Sequence, residues 1–194
     1  MRLRLLAAFA PVLLFLTACG VNSIPTAEET ARARWADVQS QYQRRADLIP
    51  NLVNTVRAAA QQERTVLREV TEARASATRI TVTPEQLSDP AAMARFAEAQ
   101  GRLTISLQRL QEAYPELQTN ANFRDLQSQI EGTENRIQVA RRDYNSAVQA
   151  YNTEIRTFPS VIGARIIYGS QPMTPFEAEA GAQGAPTVDF GNMQ

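Results

Sequence analysis

Between residues 120 and 158 the apolar positions fall at Phe123, Leu126, Ile130, Thr133, Ile137, Ala140, Tyr144, Ala147, Tyr151, Ile155 and Phe158. The steps between them alternate three and four and slip once, which is the stripe of a bundle helix. The other faces carry Arg, Asp, Glu, Gln and Asn. A helix of about 38 residues would span about 57 Å at ~1.5 Å per residue. Such a helix is not stable alone with one apolar face in water. The remaining chain must cover that face or tie the result to something else.

Upstream, Thr26-Ala27-Glu28-Glu29 reads as a capping box that opens a helix over 27–46, with the stripe Trp35, Val38, Tyr42 and Ala46. Two readings stay open at residues 44–53. Asp47 can cap a new helix with Pro50 in its first turn. Alternatively the helix runs on with a proline kink, because the apolar phase through Ala46, Ile49, Val53, Val56 and Ala60 does not slip. The stripe continues through Glu63, Leu67, Val70 and Ala73 to about Arg79, and the Thr/Pro and Ser/Asp/Pro clusters at 81–85 and 88–90 end it. Asp89 and Pro90 start a helix over 90–113, with Met93, Phe96, Gln100, Leu103, Leu107 and Leu110 on one face and Tyr114 and Pro115 at its end. Asn120 or Asn122 caps the long helix over 121–158. The short connection makes the last two helices antiparallel. Glu63 and Gln100 fall on core stripes and are read as edge positions.

Charge narrows the function. The chain has 194 residues with 20 basic and 20 acidic side chains, and every basic one is Arg. Removal of a signal peptide would take away Arg2 and Arg4, leaving 18 against 20. That argues against a nucleic-acid partner, which needs a basic surface. With no His and one Cys, zinc sites, Ser-His-Asp triads and Cys-His dyads cannot be built. No EF-hand spacing or phosphate loop is present, and no carboxylate pair has the context of an acid and its base. No cofactor and no small-molecule substrate are expected, and an enzyme is not.

The first nineteen residues read as a lipoprotein signal peptide. Arg2 and Arg4 precede a twelve-residue apolar run over 5–16, interrupted only by Pro11. A bilayer span needs ~20 apolar residues, so this run suits a secretory signal. Leu16-Thr17-Ala18-Cys19 is similar to a bacterial lipobox, in which Cys19 is lipidated and becomes the new N-terminus. Each buried CH₂ of its acyl chains contributes ~0.8 kcal/mol, so several chains together hold firmly. By resemblance to the sorting rule of Gram-negative lipoproteins, a non-Asp residue such as Gly20 after the Cys favours the outer membrane. A tether over 20–25 would reach about 20 Å at most, which keeps the folded part near the lipid.

Many short stretches resemble the LemA family in order: Arg44-Arg45-x-Asp47-Leu48-Ile49-Pro50-Asn51-Leu52-Val53, Thr71-Glu72-Ala73-Arg74, Tyr114-Pro115-x-Leu117, Asn122-Phe123-x-x-Leu126-Gln127 and Thr133-Glu134-Asn135-Arg136-Ile137. Ala140-Arg141, Tyr144-Asn145, Tyr151-Asn152, Phe158-Pro159 and Pro186-x-Val188-Asp189-Phe190 complete the series. The resemblance implies an all-α, antiparallel up-and-down four-helix bundle with an irregular C-terminal tail. It tips the Pro50 choice toward a break, giving helices over 27–46, 48–79, 90–113 and 121–158. It also implies an N-terminal membrane anchor; family members typically carry a transmembrane segment, from which the short run before Cys19 departs. It brings no catalytic residues.

Asn145 and Asn152 lie seven apart on one face, beside Tyr144 and Tyr151. They are read as a hydrogen-bonding register device, with a binding strip as the alternative. Arg44, Arg45, Arg141 and Arg142 are read as solvated or paired with acids such as Glu131 and Asp143, with a lipid-headgroup patch as the alternative. After Pro159, residues 160–168 are apolar enough to cover the bundle end or to touch membrane or partner. Residues 171–186 are expected to be mobile. Val188, Asp189 and Phe190 then regain an anchor pattern suited to partner binding. The expectation is a periplasm-facing lipoprotein of the outer membrane, acting as a scaffold for unidentified envelope proteins. An inner-membrane protein with an uncleaved anchor, serving in remodelling or sensing, is the alternative.

Overall fold

The computed structural model describes residues 22–59 and 64–177. α1 spans Ser23–Ala59, α2 Thr65–Arg79, α3 Pro90–Ala113 and α4 Ala121–Glu154. 3-10 turns at Pro84–Ser88 and Pro115–Thr119 join α2 to α3 and α3 to α4. A single-turn α5, Ser160–Gly163, runs into a π turn at Ala164–Tyr168. The described residues are all-α, with no strand among them.

Two helix starts follow directly from local chemistry. The Asp89 carboxylate accepts from the Ala91 N–H at 2.9 Å, and Pro90 occupies the first turn, where no N–H is needed. The Asn120 side chain accepts from the Phe123 N–H at 3.2 Å. α3 therefore occupies the range that the sequence predicts, and α4 starts where predicted.

The break at Pro50 does not occur. α1 passes through Asp47 and Pro50 as one helix to Ala59. Proline lacks the N–H that would serve the carbonyl four residues earlier, that of Ala46. Arg74 of α2 supplies the missing donor, its Nε bonding the Ala46 oxygen at 2.7 Å. Ala46 is buried, so without Arg74 its carbonyl would lack a water partner. The expected helix over 48–79 is thus divided elsewhere, and its second part begins at Thr65. Residues 60–63, Glu63 among them, lie outside the described residues.

The ends also differ from expectation. Helix begins at Ser23, not after Thr26, whose hydroxyl donates back to the Asn22 carbonyl at 2.8 Å. Pro25 fits the first turn, and Ile24 is fully buried against Gly163, so half of the expected tether is helix. α4 ends at Glu154, short of the predicted 158, and Phe158 lies 77% exposed. Pro159 cannot continue the helix, and Ser160 turns back toward the start of α1.

Contacts fix the directions of the helices. Ser23 bonds Glu154, Trp35 touches Tyr144 and Arg45 bonds Glu134, so α1 and α4 are antiparallel. Gln100 bonds the Ala77 carbonyl and Arg109 pairs with Glu69, so α2 and α3 are antiparallel as well. The core divides into two apolar clusters. One gathers Ile24, Trp35, Val38, Tyr42, Phe96, Ile137, Tyr144 and Tyr151. The other gathers Ile49, Val56, Leu67, Val70, Leu103, Leu110, Phe123 and Ile130. Tyr144 and Tyr151 are thus packed, as the stripe predicts.

Between the clusters lies a polar belt. Arg45 is 1% exposed. Its guanidinium donates to Glu134 at 2.7 Å, Thr104 at 2.9 Å and the Gln100 side chain at 2.9 Å. Gln100 passes the link on to α2 by donating to the Ala77 carbonyl at 3.2 Å. Gln100 is therefore buried, not at an edge, because it sits opposite an arginine that needs acceptors. The acidic partner of Arg45 is Glu134; Glu131 and Asp143 are exposed.

Candidate functional site

Beyond the π turn, the chain contains Pro172 and Pro175, which bias it away from helix. Residues 171–177 form neither helix nor strand, and they return along α4 as a strap. Asn152 binds Met173 with both ends of its amide: Nδ2 donates to the Met173 carbonyl at 2.8 Å, and Oδ1 accepts from the Met173 N–H at 2.9 Å. Asn145 does the same for Phe176, at 2.9 and 2.7 Å. Seven helical residues rise ~10.5 Å, and three extended residues span ~10 Å, so the two spacings match. Met173 lies by Asn152 and Phe176 by Asn145, so the strap runs antiparallel to α4.

The backbone between these clamps is also served. The Thr174 N–H donates to the Leu87 carbonyl at 2.8 Å, and its own carbonyl accepts from the Tyr144 hydroxyl at 2.9 Å. Pro175 has no N–H to satisfy. Arg141 closes the end, donating to the Glu177 carbonyl at 3.0 Å with its guanidinium 4.1 Å from the Phe176 ring centroid. Stacking of this kind contributes roughly 0.5–1 kcal/mol near a surface.

Side chains supply the apolar grip. Met173 and Phe176 are buried. Phe176 enters an aromatic cage, with its centroid 6.3 Å from Trp35, 6.4 Å from Tyr42 and 6.2 Å from Phe96. Trp35 is fixed by donating to the Val82 carbonyl at 3.0 Å, so the cage wall is held by the segment after α2. Burial pushes the Tyr144 phenol far above the ordinary tyrosine range, and raises Tyr151 too. Tyr144 therefore stays a protonated donor to the strap at neutral pH.

A second polar group sits at the end of the bundle where α1 begins. The Glu154 carboxylate accepts from the Ser23 and Ser160 hydroxyls, which join the start of α1, the end of α4 and α5. Those two hydrogen bonds hold its carboxyl below the usual range.

Of the residues singled out from sequence, Asn145 and Asn152 are brought together, with this chain's own strap as their occupant. The four-arginine patch is not assembled. Arg45 is buried in the belt, Arg141 lies on the strap, and Arg44 and Arg142 are exposed. Cys19, Val188, Asp189 and Phe190 lie outside the described residues. The expectation of mobility over 171–186 fails for 171–177, which are held by both backbone and side chains; the rest of that stretch lies outside the described residues. Met173 and Phe176 were missed, although Pro-Met-Thr-Pro-Phe carries two apolar residues at the span of the two asparagines. No group of three or more acids, histidines or cysteines able to hold a metal occurs among the described residues.

These features define an all-α protein whose last long helix carries a face that holds an extended chain. The chain belongs to the LemA family, whose family model matches residues 34–190. No curated protein matches the chain.

Proposed function

We propose that this LemA-family chain is a lipoprotein of the bacterial envelope, anchored by acyl chains on Cys19 and facing the periplasm at the outer membrane. Its four long helices form one antiparallel four-helix bundle that works as a non-enzymatic scaffold for protein partners. The observation that carries this reading is the strap site. Two asparagine amides hold the backbone of an extended segment, and an aromatic cage receives one side chain. Main-chain hydrogen bonds with side-chain pockets for selectivity are how sheet edges grip extended peptides, and the strap site offers the same two elements on a helix. The lipobox supports the anchor, and Gly20 supports outer-membrane sorting. Val188, Asp189 and Phe190 are the proposed partner-reading element.

The alternative keeps residues 1–19 as an uncleaved inner-membrane anchor, and the family's usual transmembrane segment favours it. No helix among the described residues is long and apolar enough to cross a membrane, and the apolar run over 5–16 is not one of them. Intact mass separates the two: an acylated Cys19 at the N-terminus supports the lipoprotein, and retained Met1 the alternative. Labelling with a fatty-acid tracer should be lost in Cys19→Ser; continued labelling would sink the anchor. For the scaffold role, removing residues 186–194 should leave stability intact and deplete co-purifying envelope proteins. An unchanged capture profile would remove Val188, Asp189 and Phe190 from the proposal.

A further inference from the structure

The end of the molecule that holds the Glu154 clasp also carries the most exposed large apolar side chains among the described residues. Ile166 is 78% exposed, Phe158 77% and Ile167 62%, with Ile162 and Tyr168 exposed beside them in sequence. Single exposed apolar residues are ordinary, but five within eleven consecutive positions call for an occupant. Over residues 155–170 there are two arginines, Arg156 and Arg165, both exposed, and no acid. Glu154, just before this stretch, is engaged by Ser23 and Ser160, and the first acids of α1, Glu28 and Glu29, are paired with Arg32. The stretch is therefore apolar with two exposed arginines and no acid, which is the composition that settles into an anionic lipid interface.

Its position in the chain selects the same occupant. α1 starts at Ser23, in hydrogen-bond contact with Glu154, and Ile24 packs over Gly163 between Ile162 and Arg165 in sequence. Cys19 is three residues before Asn22, a reach of at most about 10 Å. An anchor at Cys19 would thus deliver this end of the molecule, and no other, to the bilayer surface.

We propose that Phe158, Ile162, Arg165, Ile166, Ile167 and Tyr168 form a bilayer-docking face, which rests in the lipid interface beside the anchor. The proposal rests on the membrane anchoring described above. Docking fixes the height and tilt of the helices, so the strap site on α4 stands at a set distance from the lipid.

The test uses the full-length acylated protein in vesicles of phosphatidylethanolamine and phosphatidylglycerol, with plain or brominated acyl chains. Trp35 is 2% exposed and lies about 18 Å along α1 from Ser23 at ~1.5 Å per residue, so it should stay beyond the quencher. Ile166→Trp adds a reporter on the face, and Val139→Trp adds one at an exposed site on α4, about 22 Å from its Glu154 end at ~1.5 Å per residue. Interfacial side chains sit ~5–10 Å into the headgroup boundary, so brominated lipid should quench the added Ile166→Trp emission about twofold and leave Val139→Trp unchanged. Protein that sediments with vesicles but shows no quenching overturns the docking face and leaves the anchor standing. Protein that does not sediment overturns both. An unquenched reporter together with a concentration-dependent dimer, abolished by Ile166→Asp, assigns the patch to a second copy and also overturns the proposal.

Discussion

Arg74 does for α1 what the nitrogen of Pro50 cannot. A buried carbonyl left without a donor costs about 1–3 kcal/mol, and with Pro50 in place the Ala46 carbonyl would be in that position if Arg74 were removed. Arg74→Ala should therefore destabilise the protein by about that amount. In a Pro50→Ala background the helix recovers its own N–H, and the same Arg74→Ala change should cost only a few tenths of a kcal/mol beyond lost packing. Urea melts of the two single variants and the double variant give the coupling, expected at about 1 kcal/mol or more. Additive costs would show that Arg74 acts through something other than the Pro50 gap. This pairing explains why the break at Pro50 is a wrong expectation. The local sequence carries only the defect, and the donor that repairs it lies on another helix. The apolar phase through Ala46, Ile49 and Val53 held the correct signal, since a stripe that does not slip needs no new start.

At the scale of elements, the strap and α4 form a unit held mainly by side chain to backbone bonds. Asn145→Ala with Asn152→Ala removes four of these hydrogen bonds. At ~0.5–1.5 kcal/mol each, the double variant should lose about 2–6 kcal/mol. Trp35 is the chain's one tryptophan and lines the Phe176 cage, so its emission reports the strap directly. We expect the emission to shift to the red in the double variant, and protease to cut near residues 171–177. An unchanged spectrum and melt would mean that the amides hold nothing of consequence. The contrast with α3 shows what a sequence exposes. Asp89, Pro90 and the Met93–Phe96–Leu103–Leu110 spacing announce a helix through its own residues, and the range 90–113 follows. The strap announces little, because its partners are the backbone atoms of Met173, Thr174 and Phe176, which every residue carries. Only the seven-residue spacing of Asn145 and Asn152 was visible, without its occupant. Phe158 failed for the opposite reason. It keeps the stripe's spacing, but Pro159 ends the helix that would have turned it inward.

For the whole molecule, the belt around Arg45 divides one long core into two. Stripes of threes and fours on antiparallel helices resemble themselves after a shift of seven residues, so apolar packing alone gives weak register. Arg45, Gln100 and Glu134 sit at one level of α1, α3 and α4, and only one alignment brings them together. The pair is unequal, which sets the expected costs. Arg45 is 2% exposed in its side chain and Glu134 35%, so Glu134 can recover water and Arg45 cannot. Arg45→Ala removes the donor that serves Gln100 and Thr104 as well, and opens a cavity. It should cost about 3–5 kcal/mol, the range for breaking a buried pair. Glu134→Gln keeps an acceptor near the guanidinium and should cost about half of that or less. Arg45→Met with Gln100→Leu and Glu134→Leu replaces the belt by apolar volume, and such replacement is often neutral or stabilising. We therefore expect the triple variant to recover most of the loss seen in Arg45→Ala while weakening the choice of register. Denaturant melts measure the first effect. Disulfide trapping of cysteines placed on α1 and α4, at the native pairing and one heptad away, measures the second. A triple variant that traps only at the native pairing would show that the apolar clusters already specify the alignment and that the belt does not.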